Sequence, residues 1–246
     1  MNPFKYKFAF RNGTALAAAF LALLALSAPL SARRFAVIFG TNYTGNSAGI
    51  PPLHLCEADA NLMARTLKQE GRFDDVTVLL GRMVTASAVQ NALRQLAGKA
   101  GRNDTVAIYF SGHGTYQRDK RAPNGIRNTV IMFNRPHITD NQLNSWLRGI
   151  RSKKTVWIFD CCFSGGIAKK GKRVRGSGNI PIRTGEKGKV IVNGDDSLYF
   201  QGKAIIGSSD ANETAIEIGG SVNHGIFTYY FAKGLNPRNG DLNRDK

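Results

Sequence analysis

The chain is short of acid: 17 Asp and Glu stand against 34 Lys and Arg, a formal net charge of +17. An excess of that size draws polyanions such as nucleic acid, acidic lipid or cell-wall polymer to a surface. Much of it sits in Lys169, Lys170, Lys172, Arg173 and Arg175, in a Gly-containing segment without apolar periodicity, which is the composition of a solvated loop. Aromatic residues are not interleaved with these cations as a base-stacking platform requires, so specific nucleic-acid recognition is set aside. Cysteine is scarcer still. Three residues, Cys56, Cys161 and Cys162, do not make the disulfide framework of a small exported domain, and an odd number leaves at least one thiol. No Cys-x-x-Cys or His-rich spacing occurs, so no zinc site is expected. Internal repeats are absent too.

A membrane-spanning run is also lacking. The strongly apolar stretch from Ala15 to Leu26 has 12 residues, where a spanning helix needs about 20. Lys5, Lys7 and Arg11 precede it and the small-residue stretch Ser27-Ala28-Pro29-Leu30-Ser31-Ala32 follows, the layout of a secretory signal peptide cleaved near Ala32. Residues 1–32 are therefore expected to be a signal peptide and the protein to be secreted or periplasmic. An uncleaved membrane anchor is the alternative, because no charge falls between Arg11 and Arg33. Residues 33–246 are enough for one α/β domain with a sizeable core.

Within that domain, Arg34 to Gly40 reads as an apolar strand, and Ala58 to Glu70 as a helix through Ala58, Leu62, Met63 and Leu67. Val76 to Leu80 is a second strand. Thr85 to Ala100 is amphipathic through Val89, Leu93 and Leu96, and Val106 to Phe110 returns to a strand. Thr129 to Phe133 is expected to be a short strand, and Thr139-Asp140-Asn141-Gln142 has capping-box spacing ahead of Leu143, Trp146 and Leu147. Thr155 to Phe159 and Ala204 to Gly207 are further strands, and Phe227 to Leu235 a last helix. Strands alternating with helices predict an α/β fold, a mainly parallel central sheet with helices on both faces. Ile167 to Gln201 is a basic connection long enough to carry function.

Two segments run a buried-type strand into a glycine-flanked reactive side chain. One is Val106-Ala107-Ile108-Tyr109-Phe110-Ser111-Gly112-His113-Gly114; the other is Val156-Trp157-Ile158-Phe159-Asp160-Cys161-Cys162-Phe163-Ser164-Gly165-Gly166. The carboxyl ends of parallel strands share one edge, so an imidazole and a thiol 49 residues apart can meet there. A thiol attacks as thiolate, which a neighbouring imidazole favours. On the residues alone either Cys161 or Cys162 could serve; strand alternation turns them to different faces, so only one should enter a cleft. Two small buried hydrophobes are the plainer reading. His113 has the side chain suited to acid–base work near neutrality. His54, His137 and His224 lack a comparable setting and are expected to be structural or exposed.

These motifs resemble those of the caspase-like cysteine peptidases, in particular the metacaspase and orthocaspase branch. The Asp-x-Cys-x-Ser-Gly of metacaspases is matched by Asp160-Cys161-Cys162-Phe163-Ser164-Gly165, with Phe163 where many members carry histidine. In caspases the histidine stands about 50 residues before the cysteine. The resemblance runs from about Phe35 to the last residue. It implies a caspase-like three-layer sandwich and a cysteine endopeptidase in which Cys162 is the nucleophile and His113 the acid–base partner. The backbone N–H groups of Gly114 and Cys162 would hold the oxyanion.

Leu53-x-x-Cys56-x-x-Asp59 is similar to the family segment that helps form an acidic pocket for arginine or lysine, and Ser111 and Asp160 match its other positions. The resemblance thus implies substrate binding by Cys56, Asp59, Ser111 and Asp160, and protein or peptide substrates with Arg or Lys before the scissile bond. Two carboxylates suit the guanidinium fork; Asp59 has a plainer reading as a helix cap. The cations from Lys169 to Arg175 then become candidate self-processing sites. The chemistry requires no cofactor. Calcium activates many metacaspases and is the candidate activator, but no ligand set transfers. Asp241-x-Asn243-x-Asp245 lacks the sixth-position glycine and distant glutamate of a calcium loop, so no metal ligand is assigned. The resemblance also implies an acidic segment continuing past Lys246. The alternative function is a catalytically inactive caspase-like module that binds partners through the same cleft or the basic loop, a reading for which Phe163 and the vicinal Cys161 leave room.

Overall fold

The computed structural model describes residues 32–121, 126–161, 203–208, 217–220 and 222–240. The predicted leader, Cys162, the basic connection and the Asp241 to Asp245 stretch lie outside them. Strand β1 (Arg34–Gly40), helix α1 (Cys56–Gln69), β2 (Asp75–Leu80), α2 (Ala86–Lys99) and β3 (Thr105–Ser111) alternate through the first half. Next come β4 (Gly114–Arg118), β5 (Ile126–Val130) and β6 (Ile138–Thr139), which form a small antiparallel sheet. Helix α3 (Asp140–Leu147) and β7 (Lys154–Asp160) complete this part. The remaining elements are β8 (Lys203–Gly207), the short pair β9 (Glu217–Ile218) and β10 (His224–Gly225), α4 (Ile226–Leu235) and the single turn α5 (Pro237–Gly240).

The main sheet has the order β2-β1-β3-β7-β8, and every neighbouring pair is parallel. Both of its faces are covered, which explains why its strands read as unbroken apolar runs. Phe35, Val37, Phe39, Ile108, Phe110, Trp157 and Phe159 meet Val89, Leu93 and Leu96 of α2 and Leu143 and Leu147 of α3. Ala36, Ile38, Tyr109 and Ile158 point the other way, against Ala60, Met63 and Leu67 of α1 and Phe227 and Phe231 of α4. The predicted α/β sandwich is therefore present, with a helix layer on each side. Each large side chain so buried contributes about 1.5–3 kcal/mol.

Two details of this packing set the site. The chain runs outward from β1 to β2 and returns at β3, so β1 and β3 flank the switch point where ligand crevices open in such sheets. Their register pairs Gly40 with Ser111, and Ser111 in turn pairs with Asp160, which brings three strand ends flush. At Gly40 a Cβ would stand 2.4 Å from the Cys56 carbonyl oxygen and 2.8 Å from the Ala60 Cβ. Only glycine lets the first turn of α1 lie directly on that edge.

The capping-box reading of Thr139 holds: its hydroxyl accepts from the Gln142 amide, and the Gln142 side chain accepts from the Thr139 amide at 2.9 Å. The expected strand from Thr129 to Phe133 is displaced. Pairing spans Ile126–Val130, and beyond it Ile131 and Phe133 donate singly to the carbonyls of His113 and Val84. Val130, Met132 and Phe133 are all buried, so their apolarity reports the core and not a ladder. Its partner β4, polar in sequence, carried no apolar signal and was not anticipated. Among the described residues no helix is long and apolar enough to cross a membrane.

Candidate active site

The end of β3 delivers His113 to the sheet edge. Its Nε2 lies 2.9 Å from the Pro51 carbonyl oxygen, which can only accept, so Nε2 carries the proton and Nδ1 is left for chemistry. Its main-chain N–H donates to the Tyr43 hydroxyl at 2.8 Å, and that hydroxyl donates to the Ile131 carbonyl at 2.8 Å. The Tyr43 ring sits 4.9 Å from the imidazole, centroid to centroid. Tyr43 is 1% exposed and held at φ 59°, a left-handed conformation costly for a residue with a Cβ. The imidazole is thus held by Tyr43 and Pro51, both in the loop between β1 and α1 across the switch point. Gly114, next in sequence, opens β4 opposite Val130.

The four residues expected to bind substrate are brought together beside this edge. Ser111 Oγ donates to Asp59 Oδ2 at 3.3 Å. Asp59 also accepts from the Gly225 amide, at 3.0 Å on Oδ1 and 3.2 Å on Oδ2, and its Oδ1 pairs with His224 Nδ1 at 3.0 Å. Asp160, from β7, accepts from the Thr228 hydroxyl at 2.5 Å, and the same hydroxyl meets Tyr109 OH. A Cβ on Gly225 would stand 2.8 Å from Asp59 Oδ2 and 2.9 Å from Asp160 Oδ2, so both carboxylates converge on this one glycine. The cap reading of Asp59 falls away. Its carboxylate serves Gly225, His224 and Ser111 from the first turn of α1, and the N-cap residue is Leu55.

Burial dominates the electrostatics here. Desolvation pushes Asp59 up to about 6, against the Gly225 amide and the Ser111 hydroxyl, which favour the anion. Asp160 also rises to about 6, first by burial; the Thr228 hydroxyl opposes the shift and Asp59 adds to it. Burial likewise pushes the Cys56 thiol up, which keeps it protonated, and its Sγ donates to Glu217 Oε1 at 3.5 Å. Cys56 is thereby unsuited to attack. Cys161 is 0% exposed and packs in the cluster of Phe110, Trp157 and Phe159, away from the two carboxylates. Among the described residues no group of His, Cys, Asp and Glu is arranged to hold a metal ion.

The Caspase domain family matches residues 33–244. The chain belongs to that family. Metacaspase-4 of Arabidopsis thaliana is 26% identical over 149 residues, which cover 56% of this chain and 35% of that protein. The chain thus spans about a third of the length of this curated relative. A crystal structure of a Geobacter sulfurreducens protein aligns with a TM-score of 0.46 at 27% identity, over 53% of this chain and 50% of that one. Membership sets this caspase-domain chain among a family of cysteine peptidases.

Three residues of this caspase domain escaped the sequence. His224 was expected to be structural or exposed; it bonds the Asp59 carboxylate, because β9 and β10 fold their hairpin over the start of α1. Thr228 reads as one more position of an amphipathic helix and yet bonds Asp160. Tyr43, in a loop without periodicity, orients His113. None carries a local spacing signal, since each acts across more than 60 residues of chain.

Proposed function

We propose that this chain is a cysteine endopeptidase that cleaves after arginine or lysine with a Cys162–His113 dyad. The observation carrying the proposal is the convergence of Asp59 and Asp160 on Gly225, two buried anions one strand position from the loop that bears His113. Among the described residues neither carboxylate has a Lys or Arg partner, and two such groups are costly to bury. A guanidinium or ammonium from substrate would offset that cost, and arginine would engage both carboxylates at once. Cys162 is favoured over its neighbour because Cys161 is enclosed in the core, beyond reach of a peptide.

In this mechanism His113 Nδ1 takes the Cys162 thiol proton, and the resulting thiolate adds to the scissile carbonyl carbon. A C–S bond forms, and the carbonyl π pair moves to oxygen, where the N–H groups of Gly114 and Cys162 receive the charge. Collapse breaks the C–N bond; His113 gives its Nδ1 proton to the departing amine, leaving a thioester. His113 then takes a proton from water, which adds to the thioester carbon, and cleavage of the C–S bond returns the thiolate and frees the new carboxylate. No cofactor enters these steps. Calcium would act outside them, as an activator.

The test is a fluorogenic peptide panel with Arg, Lys or Asp before the scissile bond, run under reducing conditions with and without calcium, with Cys162→Ala as control. Turnover of the Arg and Lys peptides, lost in the control, is the expected result. Preference for Asp overturns the pocket assignment, and absence of turnover favours an inactive binding module. The same two proteins, incubated alone, test self-processing in the basic segment from Lys169 to Arg175: identical fragment patterns would remove it.

A further inference from the structure

We infer that His224 is a positioning residue for the substrate's cationic side chain, holding the Asp59 carboxylate so that Oδ2, and not Oδ1, is the oxygen presented beside Asp160. This rests on the Arg/Lys reading above. The two Asp59 oxygens are unequally occupied. Oδ1 takes the His224 imidazole and the nearer arm of the Gly225 amide, both at 3.0 Å. Oδ2 takes the longer arm at 3.2 Å and the Ser111 hydroxyl at 3.3 Å, and it lies with Asp160 Oδ2 against the face of Gly225. Long, weak bonds are the ones a guanidinium displaces most readily.

The imidazole is itself fixed. His224 pairs with Ile218 and Gly225 with Glu217 across the β9–β10 hairpin, and Glu217 is bonded to the start of α1. Burial, and then Arg65, lowers the His224 pKa, so at neutral pH the ring is an uncharged N–H donor. A neutral donor favours the Asp59 anion without competing as a cation. Asp59 also faces Cys56 on its own helix, Ser111 and Tyr109 on β3, Asp160 on β7 and Glu217 on β9, while the Thr228 hydroxyl of α4 bonds Asp160. His224 is the one imidazole in this ring of groups, and its removal tips Asp59 toward the neutral acid, with the anion lost first as pH falls.

The full chain and its His224→Ala, His224→Asn and His224→Gln variants are compared on the Arg, Lys and Asp peptides across pH 5–8. His224→Ala is expected to raise KM for the Arg peptide roughly tenfold, with a much smaller change in kcat, and to move the acid limb of kcat/KM to higher pH. His224→Asn, whose amide nitrogen overlays Nδ1, restores both; His224→Gln, whose amide overlays Nε2, does not, and it stands in should His224→Ala fail to fold. If wild type prefers Arg or Lys and His224→Ala keeps its KM and pH profile, the role of His224 is overturned and the specificity reading stands. Failure of His224→Asn to restore what His224→Ala loses has the same meaning. A wild type with no preference for a cationic side chain overturns both.

Discussion

The carboxylate of Glu217 lies 2.9 Å from the main-chain nitrogen of Leu55 and 3.2 Å from that of His54, capping helix α1 from 162 residues away in sequence. The helix needs this partner because its own N-cap residue, Leu55, has no side-chain acceptor. A negative group there also meets the positive end of the helix. Glu217→Ala is therefore expected to cost about 1–2 kcal/mol in urea unfolding, with Glu217→Gln intermediate because its amide oxygen still accepts. Unchanged midpoints in both variants would show that solvent caps α1 equally well.

Stability and substrate binding should respond to pH in opposite directions. Asp59 and Asp160 rise from the ordinary 3.8 to about 6 on folding, so between about pH 4 and 6 the folded state holds protons that the unfolded chain has released. Stability contributed by these groups is then greatest at low pH, falls as pH rises to about 6, and is constant above it. The span is at most about 3 kcal/mol per carboxyl. Affinity for a cationic side chain follows the anions and weakens as pH drops through about 6. Thermal melts of wild type and the Asp59→Asn/Asp160→Asn double variant between pH 5 and 7 check the first half. The wild-type midpoint should climb relative to the variant as pH falls; parallel curves would contradict the raised carboxyls. The KM of an Arg peptide over the same range checks the second half.

How much of this was legible in the sequence follows from the range of the interactions. The five main strands and the helices between them were readable because each is specified by its own apolar period. Val89, Leu93 and Leu96 describe a stripe wherever the helix is placed. The expected membership of Cys56, Asp59, Ser111 and Asp160 in one cluster came from resemblance, and the reason they meet is the flush register of Gly40, Ser111 and Asp160. The β4–β5 pairing stayed hidden, since a polar strand beside an apolar non-strand reverses the usual signal. His224 and Glu217 stayed hidden for another reason: a two-residue hairpin has no period to read, and its position is set by what it covers.

Tyr43 supports His113, the proposed acid–base residue, from the loop after β1. Its hydroxyl joins the His113 N–H to the Ile131 carbonyl. In Tyr43→Phe both groups lose their partner in a buried setting, at a cost of about 1–3 kcal/mol. The loosened His113 backbone is expected to lower kcat about tenfold with KM nearly unchanged, because misplacement of a catalytic group acts on the chemical step. A urea melt separates the two effects. A stability loss with kcat intact would make Tyr43 a packing residue alone.

The two adjacent cysteines should part company completely. Cys161 sits at 0% exposure among Phe110, Trp157 and Phe159, so Cys161→Ala leaves a small cavity and is expected to lower stability by about 1 kcal/mol while turnover survives. Cys162→Ala is expected to abolish turnover with stability little changed. Brief treatment of the native protein with iodoacetamide, followed by peptide mass mapping, provides a check that needs no substrate. Cys56 is buried and held as the thiol, and Cys161 is enclosed, so label should accumulate on Cys162. Label on Cys161 with Cys162 spared would reverse the assignment of the nucleophile.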